Sequence, residues 1–269
     1  MKKLYAIAAI LSILLAITTF YACKKNAAGR STLNLVDDGT VMSLSLQQYN
    51  EFLSQNPPIT SGADAARVRR VGTAVAQGVE QYLTEIGKRD LINNYQWEFN
   101  LVASDEVNAW CLPGGKIVVY TGILPLAGTD AELAVVMGHE IAHAVLRHGN
   151  ERLSQQLLVQ YGGTALSALL SSKPAETKQL FNTVFGIGST LGTLAYSRKQ
   201  ESESDESGLY YMAFAGYDPN AAVTFWQKMS QQGGSGVPEF LSTHPSDDTR
   251  IAGIKEHLPK AMEYYNRSN

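Results

Sequence analysis

Cysteine is scarce in this 269-residue chain. Only Cys23 and Cys111 occur, too few for a disulfide-stapled scaffold or a cysteine-only zinc finger. Charge is scarce too: charged residues make up 17% and the formal net charge is −3, so nothing supports a nucleic-acid binder driven by bulk positive charge. No internal repeat is visible. A hydrophobic fraction of 45% is that of a globular protein with a sizeable core, and excludes a disordered or collagen-like chain.

One long uncharged run is present. Met1-Lys2-Lys3 precedes nineteen uncharged residues, Leu4 to Ala22, which read as the charged and apolar regions of a secretory signal. The run ends at Ala22-Cys23, and a small residue directly before cysteine resembles a bacterial lipobox, although Phe20 stands where leucine is usual. The expectation is a signal over residues 1–22, a lipidated Cys23 opening a polar tether over 23–40, and one domain over 41–269. The competing reading is an uncleaved anchor helix, since nineteen residues nearly span a bilayer. Both put the remainder outside the cytoplasm.

Beyond Ser61-Gly62-Ala63, Val68, Val71, Val75, Val79 and Leu83 recur at helical spacing to about Ile86. Tyr95 to Val102 and Glu106 to Tyr120 are rich in strand formers and are interrupted by the turn text Leu112-Pro113-Gly114-Gly115, which predicts two or three strands. Thr129-Asp130-Ala131-Glu132 is a capping box opening a helix expected to run to His148, with Gly149 as its terminating residue. Residues 154–172 and 179–197 are uncharged but carry too much Gly, Ser, Thr, Asn and Gln for membrane spans, so buried or lid helices are expected. A further helix is expected over about Leu194 to Phe214, and Gly233 to Gly236 reads as a flexible loop.

Inside the capped helix stands His139-Glu140-Ile141-Ala142-His143. Positions i and i+4 lie about 40° apart round a helix, so the two imidazoles share a face and can bind one metal ion, with Glu140 beside them to take a proton from water. Zinc suits two imidazoles and leaves room for a third protein ligand and a water. Glu201 and Asp205, again i and i+4, supply candidates: Glu201 as third ligand and Asp205 as acceptor of a ligating histidine's outer N–H. Glu203 is expected to be a solvated acid, His148 to point away from the metal and cap its helix, and His257 to lie on the surface.

Several ordered motifs together resemble the HtpX/BepA-like gluzincin metalloproteases, which also include the CAAX prenyl endopeptidases. They are Asn108-Ala109-Trp110-Cys111-Leu112-Pro113-Gly114-Gly115, Glu132-Leu133-Ala134 leading into HExxH, Ser197-Arg198 through Glu201 to Asp205, and Thr243-His244-Pro245 with Arg250-Ile251. The resemblance implies an α+β zincin-like domain, mostly helical with a small sheet, one zinc held by His139, His143 and Glu201, and endopeptidase activity with Glu140 as acid/base. It also implies that His244 lies near the metal, as oxyanion stabiliser or as a fourth ligand that closes the site. Asn108, Ala109 and Trp110 are expected on an edge strand that pairs with a peptide, and Arg250 is assigned with them to substrate contact. Cys111 reads as a small core residue, and the family favours alanine where Ser204 stands. The expected substrates are unfolded or misassembled envelope proteins, with membrane contact through a lipid anchor at the periplasmic face of an outer membrane and no nucleic-acid partner. The alternative is a periplasmic chaperone or assembly factor whose zinc site is held shut.

Overall fold

The computed structural model describes residues 23–187, 196–231, 240, 244 and 248–268. The leader over residues 1–22 and the Gly233 to Gly236 loop lie outside them. Strands β1 (Cys23–Lys25) and β2 (Ser31–Leu33) pair antiparallel as a hairpin, and α1 (Asp38–Gln55) follows, capped by Asp37. The expected tether is therefore folded against the body. The Arg30 guanidinium forms a bidentate pair with Glu151 and a third bond to Glu203, Lys88 Nζ reaches the Ala27 carbonyl, and the Leu35 N–H donates to Ser154 Oγ. A polar composition here reflects buried ion pairing rather than solvation.

Helix α2 (Ala63–Glu85) buries the valine stripe read from the sequence. Strands β3 (Glu98–Val102), β4 (Ala109–Leu112) and β5 (Lys116–Tyr120) form a sheet of order β3-β5-β4, in which β5 is parallel to β3 and antiparallel to β4. The β4–β5 turn uses Gly114 and Gly115 at φ 96° and 80°, a region closed to most side chains. Along β5, Ile117 and Val119 enter a core shared with α2, whereas Val118 and Tyr120 enter a second core containing Tyr49, Phe52, Trp110 and Phe181. Burial on both faces explains why Ile117-Val118-Val119-Tyr120 lacks polar alternation.

The Thr129–Glu132 capping box opens α3 (Asp130–Val145) as expected, but the helix stops short of His148. Arg147 adopts φ 64°, and a new helix, α4 (His148–Tyr161), begins at the next residue. Gly149 is thus no helix terminator. It lies in the first turn of α4, where a Cβ would run into the Phe185 ring. Of the uncharged stretches, residues 154–172 form the rest of α4 and α5 (Leu166–Ser172), whereas 179–185 close α6 (Pro174–Phe185) and 188–195 lie outside the described residues; among the described residues no helix is long and apolar enough to cross a membrane. Helix α7 (Arg198–Phe214) starts from a second capping box, Ser197 with Gln200. The molecule closes with α8 (Ala221–Ser230) and α9 (Asp248–Ser268), and Tyr264 of α9 packs against Tyr82 of α2 and Tyr210 of α7.

Candidate metal centre

Helices α3 and α7 touch at a pair of glycines. A Cβ on Gly138 would lie 3.0 Å from the Gly208 carbonyl oxygen, and one on Gly208 would lie 3.0 Å from the His139 nitrogen, so no larger residue fits without parting the helices. This close crossing carries His139 and His143 on α3 up to Glu201 in the first turn of α7.

His139 Nε2 stands 3.0 Å from His143 Nε2 and 3.1 Å from His244 Nδ1, while Glu201 Oε1 stands 3.3 Å from His143 Nε2 and 3.0 Å from His244 Nδ1. All four residues are buried, and their donor atoms lie within 4.8 Å of one another. A metal held tetrahedrally by nitrogen at about 2.0–2.1 Å needs donors about 3.3 Å apart. The spacing fits. Glu140 adds an independent sign, because its Oε1 is buried with no hydrogen-bond partner, 3.5 Å from His244 Nε2.

His139 and Glu201 are held from behind. The His139 Nδ1 meets Asp205 Oδ1 at 2.9 Å, which holds a proton on Nδ1 and turns Nε2 towards the other metal donors, as the i, i+4 spacing of Glu201 and Asp205 implied. Arg250 joins the two acids, donating from Nη1 to Glu201 Oε2 at 2.8 Å and from Nη2 to Asp205 Oδ1 at 2.7 Å, with its guanidinium 3.4 Å from the Trp226 ring centroid. Arg250, expected to contact substrate, is buried and braces Glu201 and Asp205. Nothing in its linear spacing betrays this, because α9 reaches α7 only through the tertiary fold.

Burial opposes the charge on Glu201, but His244 and Arg250 outweigh it and hold the carboxylate well below its usual range. Burial pushes Glu140 up, against the pull of His244 and His139. Burial and Arg250 lower His139, yet Asp205 and Glu201 prevail and raise it to about 9. Burial drives His143 well below the ordinary histidine range.

Two residues expected elsewhere belong to the site's surroundings. His148 is buried with Nδ1 at 3.0 Å from His143 Nδ1, and Glu203 bonds His148 Nε2 at 3.0 Å rather than facing solvent. The turn at Arg147 is the reason, since a continuous helix would aim His148 away. Tyr196, which no motif in the sequence marks out, stacks on His143 with ring centroids 3.7 Å apart. His257 lies partly exposed, 3.7 Å from Glu206.

Strand β4 is an edge of its sheet, as expected for Asn108 to Trp110. The Tyr120 N–H donates to the Asn108 carbonyl, so the hydrogen-bonded pairs with β5 fall at 108, 110 and 112, and the backbone groups of Ala109 and Cys111 point outward. Asn108 Oδ1 covers the Ala109 N–H at 2.8 Å. The Trp110 side chain points into the core rather than along the edge. It is buried edge-on against Phe52 at 5.0 Å and donates to Tyr120. Cys111 is buried, and burial raises its thiol pKa, as suits a core residue.

Two histidines one helical turn apart, a glutamate from a second helix and a buried carboxylate beside them, one of whose oxygens has no hydrogen-bond partner, define a mononuclear metallopeptidase centre. The model of peptidase family M48 matches residues 65–258, and the chain belongs to that family. It is 40% identical over 159 residues to the mitochondrial metalloendopeptidase OMA1 of Arabidopsis thaliana, covering 59% of this chain and 31% of that protein. It is 37% identical over 187 residues to the OMA1 of Schizosaccharomyces pombe, covering 67% and 53%. The beta-barrel assembly-enhancing protease of Escherichia coli is 29% identical over 185 residues, covering 65% and 38%. The chain thus spans from about a third to about half the length of these relatives. They correct the expected location: mitochondrial proteins stand at higher identity than the bacterial one, so lipid anchoring at a bacterial outer membrane finds no support in the family.

Proposed function

We propose that this protein is a zinc-dependent endopeptidase that cleaves extended segments of unfolded or misassembled proteins. The observation that carries it is the convergence of His139, His143, Glu201 and His244 beside the buried Glu140 carboxylate, whose Oε1 has no hydrogen-bond partner. His139 Nε2, His143 Nε2 and Glu201 Oε1 would hold zinc, which supplies Lewis-acid polarisation of the scissile carbonyl and an acidified water. Glu140 takes the water proton and returns it to the leaving amine; its raised pKa brings it nearer the working pH, as such a shuttle requires.

The N–H and C=O groups of Ala109 and Cys111 face away from β5, along an edge that is buried here, and would pair with a substrate backbone added as a strand. Asn108 Oδ1 occupies the first of those donors until a substrate carbonyl replaces it. Recognition through backbone groups selects extended chains over folded ones, and the named role of the E. coli relative in assembly supports misassembled protein as the client class. The test is proteolysis of an unfolded protein by the purified chain. Glu140→Gln should retain one equivalent of zinc yet lose cleavage, and a zinc-free or fully active Glu140→Gln variant would remove Glu140 from the proton-shuttle role.

A second reading is favoured by one observation: His244 Nδ1 lies among the metal donors. Four protein ligands close a tetrahedral site, so His244 would hold the resting enzyme latent, in a chain that serves chiefly as a chaperone or assembly factor. His244→Ala should then raise basal proteolysis with zinc still bound. If His244 stabilises the oxyanion instead, the same change lowers turnover by roughly 10²- to 10³-fold.

A further inference from the structure

The two histidines that would hold zinc are oriented by unlike devices. For His139 it is a carboxylate, Asp205. For His143 it is a third imidazole: His148 Nδ1 lies 3.0 Å from His143 Nδ1, with both rings buried. Two imidazole nitrogens at that distance need one proton between them, and one ring must be the acceptor. His143 must donate, because its Nε2 faces the metal donors and its other nitrogen then carries the hydrogen. His148 must accept on Nδ1 and carry its own hydrogen on Nε2, and Glu203 Oε2 stands 3.0 Å from that atom. The Ser204 hydroxyl, 3.2 Å from His148 Nδ1, can share the same lone pair.

Glu203 is itself held by the N-terminal hairpin. Arg30 Nε donates to its Oε1 at 2.6 Å and Asn26 Nδ2 to its Oε2 at 3.0 Å. We propose that His148 is a positioning residue for the metal ligand His143, kept in its accepting tautomer by Glu203, so that the hairpin carrying Asn26 and Arg30 is wired to the metal centre. This rests on the zinc reading above and deepens it, because it assigns a task to four residues outside the HExxH motif, His148, Glu203, Asn26 and Arg30. A carboxylate behind His148 strengthens it as an acceptor, and a stronger acceptor makes His143 a better donor to metal.

The test is zinc affinity, measured by chelator competition, with the melting temperature of the metal-free chain as a control for folding. His148→Ala should lower affinity by roughly 10- to 100-fold, the usual loss for a partner of a ligating histidine. His148→Asn puts an amide oxygen near the Nδ1 position and should recover most of that loss, whereas His148→Gln, with its oxygen one bond further out, should not. If Glu203 acts through His148, adding Glu203→Ala to His148→Ala should cost no further affinity, although Glu203→Ala alone does. Equal affinities for the Asn and Gln variants would overturn the proposal, as would a full additional loss in the double variant. Should His148→Ala fail to fold, the Asn and Gln pair still decides. Failure of the underlying zinc reading looks different, since the parent chain would then bind no zinc.

Discussion

His139 has to serve two masters. Without metal, Asp205 and Glu201 outweigh burial and the neighbouring arginine, and keep the ring protonated up to about pH 9. With metal, Nε2 has to be a bare lone pair, so loading expels that proton. Below about 9 the proton therefore competes with the ion, and apparent zinc affinity should rise as pH increases towards that value. Chelator competition at several pH values, together with proton release on loading in weak buffer, measures it; a flat profile between about pH 6 and 8.5 would contradict a protonated His139 in the metal-free site. Glu201 and Asp205 should differ by grade. On the proposed ligand set, Glu201→Ala removes a metal bond and should largely abolish retention, while Asp205→Ala leaves the donors in place and should cost about 10- to 100-fold in affinity. Equal, negligible losses in a chelator titration would reject the assignment of both.

At the level of helices, the site depends on how closely α3 and α7 approach. Gly208→Ala places a methyl 3.0 Å from backbone atoms of α3, which cannot fold out of the way as a side chain could. Overpacking of this kind typically costs about 1–3 kcal/mol, and it should also weaken metal retention by withdrawing Glu201 from the histidines. Denaturant unfolding of the metal-free chain checks the first effect and zinc affinity the second; a variant equal to the parent in both would show that the crossing tolerates more than its spacing suggests. Much of this pairing was legible in the sequence. The Thr129–Glu132 box and the HExxH spacing marked α3, and Glu201 with Asp205 marked the face of α7 that meets it. Residues whose task depends on distant partners were not legible. Arg250 lies 45 positions from Asp205, Arg30 lies 173 from Glu203, and no periodicity links such pairs. Helix geometry turned Glu203 away from Glu201 and so made it look solvated, because its partners, Asn26, Arg30 and His148, come from two other segments.

For the molecule as a whole, the N-terminal hairpin behaves as part of the catalytic body. Burial disfavours the Glu203 charge, but His148 and Arg30 prevail and depress its pKa from 4.5 to about 2. A depressed carboxylate contributes stability above its unfolded pKa and loses it as pH falls through the folded value. Docking of the hairpin should accordingly hold at neutral pH and weaken progressively between about 4.5 and 2. Hydrogen exchange over residues 25–37 across that range measures it, and protection that stays constant down to about pH 2 would mean that Glu151 and backbone contacts suffice without Glu203. Composition suggested a tether here because a few ion pairs leave no hydrophobic pattern to read.

The turn at Arg147 has a consequence for what a motif can encode. On an unbroken helix, His143 and His148 would lie about 140° apart and never meet. A single left-handed residue between them brings their rings within 3.0 Å, at the conformational cost of roughly 1–2 kcal/mol that a side chain incurs there. The same letters on a straight helix would spell a surface histidine. What makes His148 part of the centre is a dihedral angle, carried by a residue that touches neither ring's reacting nitrogen and instead pairs with Asp38 at the start of α1. Two chains could therefore share both histidines of this stretch and differ in the grammar that joins them.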